Sequence, residues 1–173
     1  MKREISICSR IFFLCFSKKH DIINNITITS PKSAPLNLII PREIEYQYRR
    51  MFEDRTIPVM AYNLYTILAE KLETILVRGV GNTRARDYYD AYILLSLYRE
   101  NLERGELIHA LREKAAERGS TAAIDDHVKI MNDIGGSLDI AKIWDGYKRR
   151  YSYAKGIALR DILSLIVWVF AET

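Results

Sequence analysis

Asn63-Leu64-Tyr65-Thr66-Ile67-Leu68-Ala69-Glu70-Lys71-Leu72-Glu73-Thr74-Ile75-Leu76-Val77-Arg78 is the stretch on which the fold turns. Its apolar residues Leu64, Ile67, Leu68, Leu72, Ile75 and Leu76 recur at spacings of three and four, which gathers them on one face of an α-helix. Asn63 is a suitable N-cap, and Gly79-Val80-Gly81-Asn82 ends the run. Just upstream the period is different. Ile44, Tyr46 and Tyr48 alternate with Glu45, Gln47 and Arg49, the pattern of a half-buried strand. Glu53-Asp54-Arg55 reads as a turn, and Thr56 to Ala61 as a second strand that tolerates Pro58 only at an edge. Residues 44–61 are therefore expected to form a hairpin-like pair leading into the helix at 63–78.

Further downstream the helical period continues. Thr83 is a candidate cap for a helix from Arg84 to about Leu97. Helices over about 105–118, 122–133 and 138–150 follow, separated by Gly119-Ser120 and Gly135-Gly136-Ser137, and a last one spans about 156–170. All four prolines lie between Pro31 and Pro58, and all eight glycines at or after Gly79. The first part is thus extended in character and the second helical. Ile22 to Thr29 and Leu36 to Ile40 are candidate strands in an otherwise poorly readable start. The expected class is α+β, predominantly α, with residues 1–40 as a distinct N-terminal segment and 41–173 as the body.

Bulk composition excludes several classes. With 49% hydrophobic and 28% charged residues, the 173-residue chain can bury a core and does not read as disordered. Cys8 and Cys15 have neither the number for a disulfide framework nor the companions for a zinc site, which fits a reduced, cytoplasmic setting. The apolar run Ile11 to Phe16 is too short for a signal core, and Ile162 to Phe170 too short for a bilayer span. No membrane segment is expected. A net charge of +4 accommodates a nucleic-acid partner without demanding one.

Chemistry is concentrated in two places. Lys71 falls inside the apolar stripe of its helix, four after Ile67 and four before Ile75, with Arg78 one heptad on. An inward lysine is costly unless it meets an anion, although a snorkelling side chain or a structural ion pair explains the position equally well. Asp87 and Asp90 are three apart and share a face with Ala91 and Leu94. Both stand in the first turns of their helix, where its dipole favours carboxylates paired with Arg84 or Arg86. His109 and His127 have no ligand partners at metal-binding spacing and read as surface or helix-face residues.

Taken together, Ala61-Tyr62-Asn63-Leu64, Leu68 to Ile75, Arg78 and Asn82-Thr83-Arg84-Ala85-Arg86-Asp87-Tyr88-Tyr89-Asp90 resemble the most recognisable stretch of the AbiEii/AbiGii-type nucleotidyltransferase toxins. In that family a lysine-bearing helix precedes an arginine-rich turn and an Asp-x-x-Asp helix. The similarity extends weakly up to Pro41 and down through Trp144, Tyr147 and Tyr151 to Ala154. It implies a helical C-terminal half of a nucleotidyltransferase-like toxin. Lys71 would contact the triphosphate and Asp87 would lie near the reacting centre, supported by Arg78, Arg84, Arg86 and Asp90. The complete family uses an NTP and Mg²⁺ to transfer a nucleoside monophosphate to an acceptor such as tRNA, and pairs with a cognate antitoxin.

One part of that site is missing from the sequence. Close approach to phosphates calls for a Gly-Ser turn, and Mg²⁺ for clustered carboxylates. There is no glycine before Gly79, and upstream of Lys71 the only aspartates, Asp21 and Asp54, are far apart. The implication is a truncated, impaired transferase, for which a lost or out-of-frame 5′ half of the gene is one origin. The alternative is a non-catalytic interaction module that binds antitoxin, a relative or RNA, with Lys71 and Asp87 kept as an ion pair. Ile140, Trp144, Tyr147 and Tyr151, amid Lys142, Lys148, Arg149 and Arg150, fit either core packing or an aromatic-basic RNA surface. Tyr62, Tyr88 and Tyr89 likewise fit the core or a base pocket.

Overall fold

The computed structural model describes residues 27–28, 44–49 and 55–171. The chain divides into two compact units, Met1–Ile67 and Leu68–Thr173.

In the first unit, β1 (Thr27–Ile28), β2 (Ile44–Arg49) and β3 (Thr56–Tyr62) form an antiparallel sheet in the order β1-β3-β2. Pairing of β2 with β3 runs from Ile44↔Ala61 to Arg49↔Thr56, so the expected hairpin forms. Glu45 and Gln47 are exposed on β2, in keeping with the period of two, and the Gln47 amide donates to Glu45 at 3.1 Å. Pro58 corrects an expectation, since it lies on the central strand and not on an edge strand. Among the described residues β1 pairs with Ala61 and Tyr62, while Pro58 lies opposite Gln47 of β2 and has no N–H to offer a ladder. The expected strand at 36–40 and most of the 53–55 turn lie outside the described residues. Of the strand expected at 22–29, only Thr27–Ile28 lies within them.

A helix, α1 (Leu64–Arg78), begins in this unit. The Asn63 side chain accepts from the Thr66 N–H at 2.9 Å, the capping bond expected of it. A 3₁₀ turn, Gly79–Gly81, closes the helix, with Gly79 at φ +49°, a conformation that a side chain would strain.

The second unit is helical throughout: α2 (Ala85–Tyr98), α3 (Arg104–Arg118), α4 (Thr121–Asp125), α5 (His127–Gly136), α6 (Leu138–Arg150) and α7 (Leu159–Phe170). Leu68, Leu72, Ile75 and Leu76 of α1 are buried, as is the α7 stripe of Ile162, Ile166 and Val169. Burial of each such side chain contributes about 1.5–3 kcal/mol, which fixes the face each helix presents. Three boundaries differ from expectation. The helix expected at 122–133 is two, broken at Asp126, and the second runs on through Gly135 and Gly136. Thr83 caps nothing, because the buried Asn82 side chain accepts from the Arg84 N–H at 3.0 Å and turns the chain into α2. The last helix starts at Leu159, after a 3₁₀ turn at Ser152–Ala154. Among the described residues no helix is long and apolar enough to cross a membrane.

Candidate functional site

The inward position of Lys71 on α1 is resolved by α2. Its ammonium donates to Asp87 Oδ1 at 2.9 Å and lies 2.9 Å from Asp90 Oδ2. Two factors make this meeting possible. The helical period of α1 turns Lys71 toward the core, and the i, i+3 spacing of α2 turns both carboxylates toward it. Asp87 and Asp90 are buried, whereas the Lys71 side chain keeps 27% exposure. Burial works against a charged Lys71, but Asp90 and Asp87 outweigh it and hold the ammonium above its ordinary value. Burial also pushes the Asp90 carboxyl up, against the pull of Lys71 and Arg86.

The supporting arginines divide. Arg86 is near the cluster, its Nε 3.9 Å from Asp90 Oδ2. Arg78 and Arg84 are exposed and join the cluster through no hydrogen bond or ion pair among the described residues. Arg78 ends α1, past the turn that Lys71 occupies, and Arg84 precedes α2 with its side chain in solvent.

Among the described residues, Asp87 Oδ2, Asn82 Nδ2 and the Tyr88 hydroxyl around this cluster are buried without a hydrogen bond of good geometry. Burial pushes the Tyr88 phenol up to about 12, and the nearby Asn82 only partly offsets it. Orphaned groups of this kind are rare in folded interiors and cost roughly 1–3 kcal/mol each. Tyr88 is thus a core residue and Tyr89 is buried beside it, while Tyr62 is half-buried.

A second charged cluster escaped the sequence reading. Lys114 of α3, 3% exposed in its side chain, lies 3.5 Å from Glu70 and 3.2 Å from Glu117. Beside it, buried Glu73 receives Arg118 at 2.9 Å on Oε2 and the Ser120 hydroxyl at 2.9 Å on Oε1. The signal for Lys114 was available: it stands three after Leu111 and seven after Leu107, inside an apolar stripe much like that of Lys71.

Of the histidines, His109 is exposed. His127 stands on a helix face, its Nδ1 2.8 Å from the Ile124 carbonyl oxygen and its ring stacked on Phe170 at 4.2 Å. No group of three or more His, Cys, Asp or Glu able to hold a metal occurs among the described residues. Asp87 and Asp90 supply two carboxylates, each already facing Lys71. The described residues therefore do not by themselves fit a Mg²⁺ site.

With this geometry in place, the chain can be compared with known proteins. A family model described as "Nucleotidyl transferase AbiEii toxin, Type IV TA system" matches residues 35–163, well over half of the chain. No curated protein and no solved structure matches.

Proposed function

This chain belongs to the AbiEii family of nucleotidyl transferase toxins, and from that premise we propose that Lys71, Asp87 and Asp90 are the helical half of a nucleotidyl-transfer site. The observation that carries the reading is the state of the lysine. An ammonium has three N–H donors, and the two carboxylate oxygens at 2.9 Å account for two of them. The side chain is part-exposed, so the third donor is available to a phosphate oxygen. Asp87 and Asp90 fix the ammonium and keep it charged across the physiological range. Lys71 would then hold the triphosphate of an NTP, with Asp87 beside the reacting centre and Arg86 orienting Asp90. Arg78 and Arg84, both exposed, would act at most on the periphery.

The acceptor in this reading is an RNA such as tRNA, and the protein partner is an antitoxin, as the family's toxin–antitoxin setting implies. The chain carries no Gly-Ser turn ahead of Lys71 and no metal-holding carboxylate group among its described residues. On its own it is accordingly expected to bind NTP weakly and to transfer poorly. A second reading, a non-catalytic interaction module, is favoured by one observation: the lysine lies 2.9 Å from both carboxylates, the geometry of a structural ion pair.

Calorimetric titration of the chain with an NTP and Mg²⁺ separates the two. Binding that is lost in both Lys71→Ala and Asp87→Ala, with folding retained by circular dichroism, supports the half-site. A well-folded chain with no NTP binding sinks it in favour of the interaction module.

A further inference from the structure

The end of α6 and the turn after it bring four tyrosines together next to the charged cluster. Tyr89, adjacent to Asp90 in sequence, has its ring centroid 4.8 Å from Tyr153 and 6.0 Å from Tyr147. Tyr151 lies 5.4 Å from Tyr153, nearly parallel, and 4.6 Å from Tyr147. The rings therefore run outward from the buried Tyr89 to Tyr153, which is 42% exposed, and Tyr151, which is half-buried.

This display is held firmly. Trp144 is fully buried, stacks on Tyr147 at 5.5 Å, and donates its indole N–H to the Ile157 carbonyl at 3.0 Å. That bond ties the far side of the turn back to α6, while buried Ala154 anchors its middle. The Tyr147 and Tyr153 hydroxyls are 3.0 Å apart. Tyr89 precedes Asp90 on α2 and packs against Tyr147 and Tyr153, so the aromatic group adjoins the helix that carries Asp87 and Asp90.

Within the segment that carries the outer rings, charge is of one sign. From Gly146 to Arg160 the chain carries Lys148, Arg149, Arg150, Lys155 and Arg160 and no acidic residue. Lys148 and Arg160 are occupied by the flanking Asp145 and Asp161, whereas Arg149, Arg150 and Lys155 are exposed. The Arg150 guanidinium lies 5.6 Å from the Tyr151 ring centroid. Interior packing accounts for Trp144 and Tyr89, but not for an exposed Tyr153 and a half-buried Tyr151 set among exposed cations.

We propose that Tyr151 and Tyr153, backed by Tyr147 and flanked by Arg149, Arg150 and Lys155, form a stacking platform for a single-stranded RNA end and lead it toward the Lys71 cluster. Every base has a π-face and every linkage a phosphate, so alternating aromatic rings and cations suit a single strand. More than one outward ring calls for a run of bases, not the lone base of a nucleotide. The proposal rests on the transferase reading, which makes the acceptor an RNA.

The test uses the full chain and a dye-labelled six-nucleotide oligoadenylate, followed by fluorescence anisotropy without NTP. Binding is expected, weakened about 5- to 150-fold by Tyr153→Ala or Tyr151→Ala and retained by Tyr153→Phe, since a stacked base is worth about 1–3 kcal/mol. An Arg149→Ala/Arg150→Ala double variant is expected to flatten the salt dependence of binding. Circular dichroism and NTP titration of the same variants serve as controls, both unchanged. No oligonucleotide binding, equal binding by the alanine variants, or equal binding of an RNA duplex or the DNA counterpart would each overturn the proposal. So would loss of NTP binding in the tyrosine variants, which would give the rings to the nucleotide base instead. Because the oligonucleotide is read without NTP, failure here and failure of the transferase reading are separate results.

Discussion

Helix α1 carries two charged clusters that look alike in outline and differ in how completely they are satisfied. On one side Lys71 meets Asp87 and Asp90; on another, Glu70 and Glu73 meet Lys114 and Arg118. In the second, the lysine is almost wholly buried and both oxygens of Glu73 are engaged. In the first, the lysine keeps an open edge, Asp87 has an oxygen without a partner, and Asn82 and Tyr88 add two more orphaned atoms. A buried ion pair alone therefore does not mark a site. A pair held together while part of its bonding capacity is left open is a better guide, because a folded chain with only packing at stake usually satisfies such groups.

Three experiments sharpen or break this contrast. The largest effect is expected at the complete cluster. Lys114→Met should lower unfolding free energy by about 3 kcal/mol in urea denaturation, the low end for a broken buried pair because Glu70 and Glu117 retain some solvent. A loss no larger than that caused by Lys71→Met would mean that this cluster is no more a structural element than the other.

The next effect depends on pH. Lys71→Met leaves Asp87 and Asp90 buried beside Arg86 alone, so about 2 kcal/mol should be lost at pH 7. The Asp90 carboxyl is already raised in the folded protein, and removing the ammonium raises it further. A folded-state pKa above the unfolded value favours folding at low pH, and that advantage is lost as pH rises through the folded pKa. The cost of Lys71→Met should consequently shrink as pH falls from 7 toward 4. A pH-independent cost would show that the carboxylates do not depend on Lys71. In the parent chain the raised Lys71 pKa has the same sign: its contribution is intact below about 10.5 and fades as pH rises past the folded value.

The smallest effect is a gain. The Tyr88 hydroxyl is buried and unpartnered, so Tyr88→Phe should stabilise the chain by up to about 1 kcal/mol near neutral pH. It should also remove the part of the alkaline stability loss that falls between pH 10 and about 12, where the unfolded phenol ionises and the folded one does not. If Tyr88→Phe destabilises instead, the hydroxyl has a partner, and the orphaned-atom argument for this cluster weakens with it.

Much of the framework is legible in the sequence because it is local. The change of hydrophobic period near Asn63 follows from backbone geometry, as do the Asn63 cap and the shared face of Asp87 and Asp90. Lys114 carries the same signal as Lys71, but no recognisable motif adjoins it in the sequence. The family resemblance implies supporting roles for Arg78 and Arg84, and the structure adds that both side chains are exposed.

The sequence by itself determined the hairpin-then-helices plan, the inward lysine, the paired aspartates and the family to which they belong. Only the tertiary structure decided that Lys71 reaches both carboxylates, that Glu73 and Lys114 build a second cluster, and that four tyrosines converge on one end of α6. The division has a physical cause. Periodicity and caps are set by bonds between residues three or four apart, whereas Lys71 and Asp87 are brought together across the Gly79–Gly81 turn, whose direction no periodic pattern encodes. Tyr89 and Tyr153 are farther apart still, and only the packing of whole helices brings them into contact.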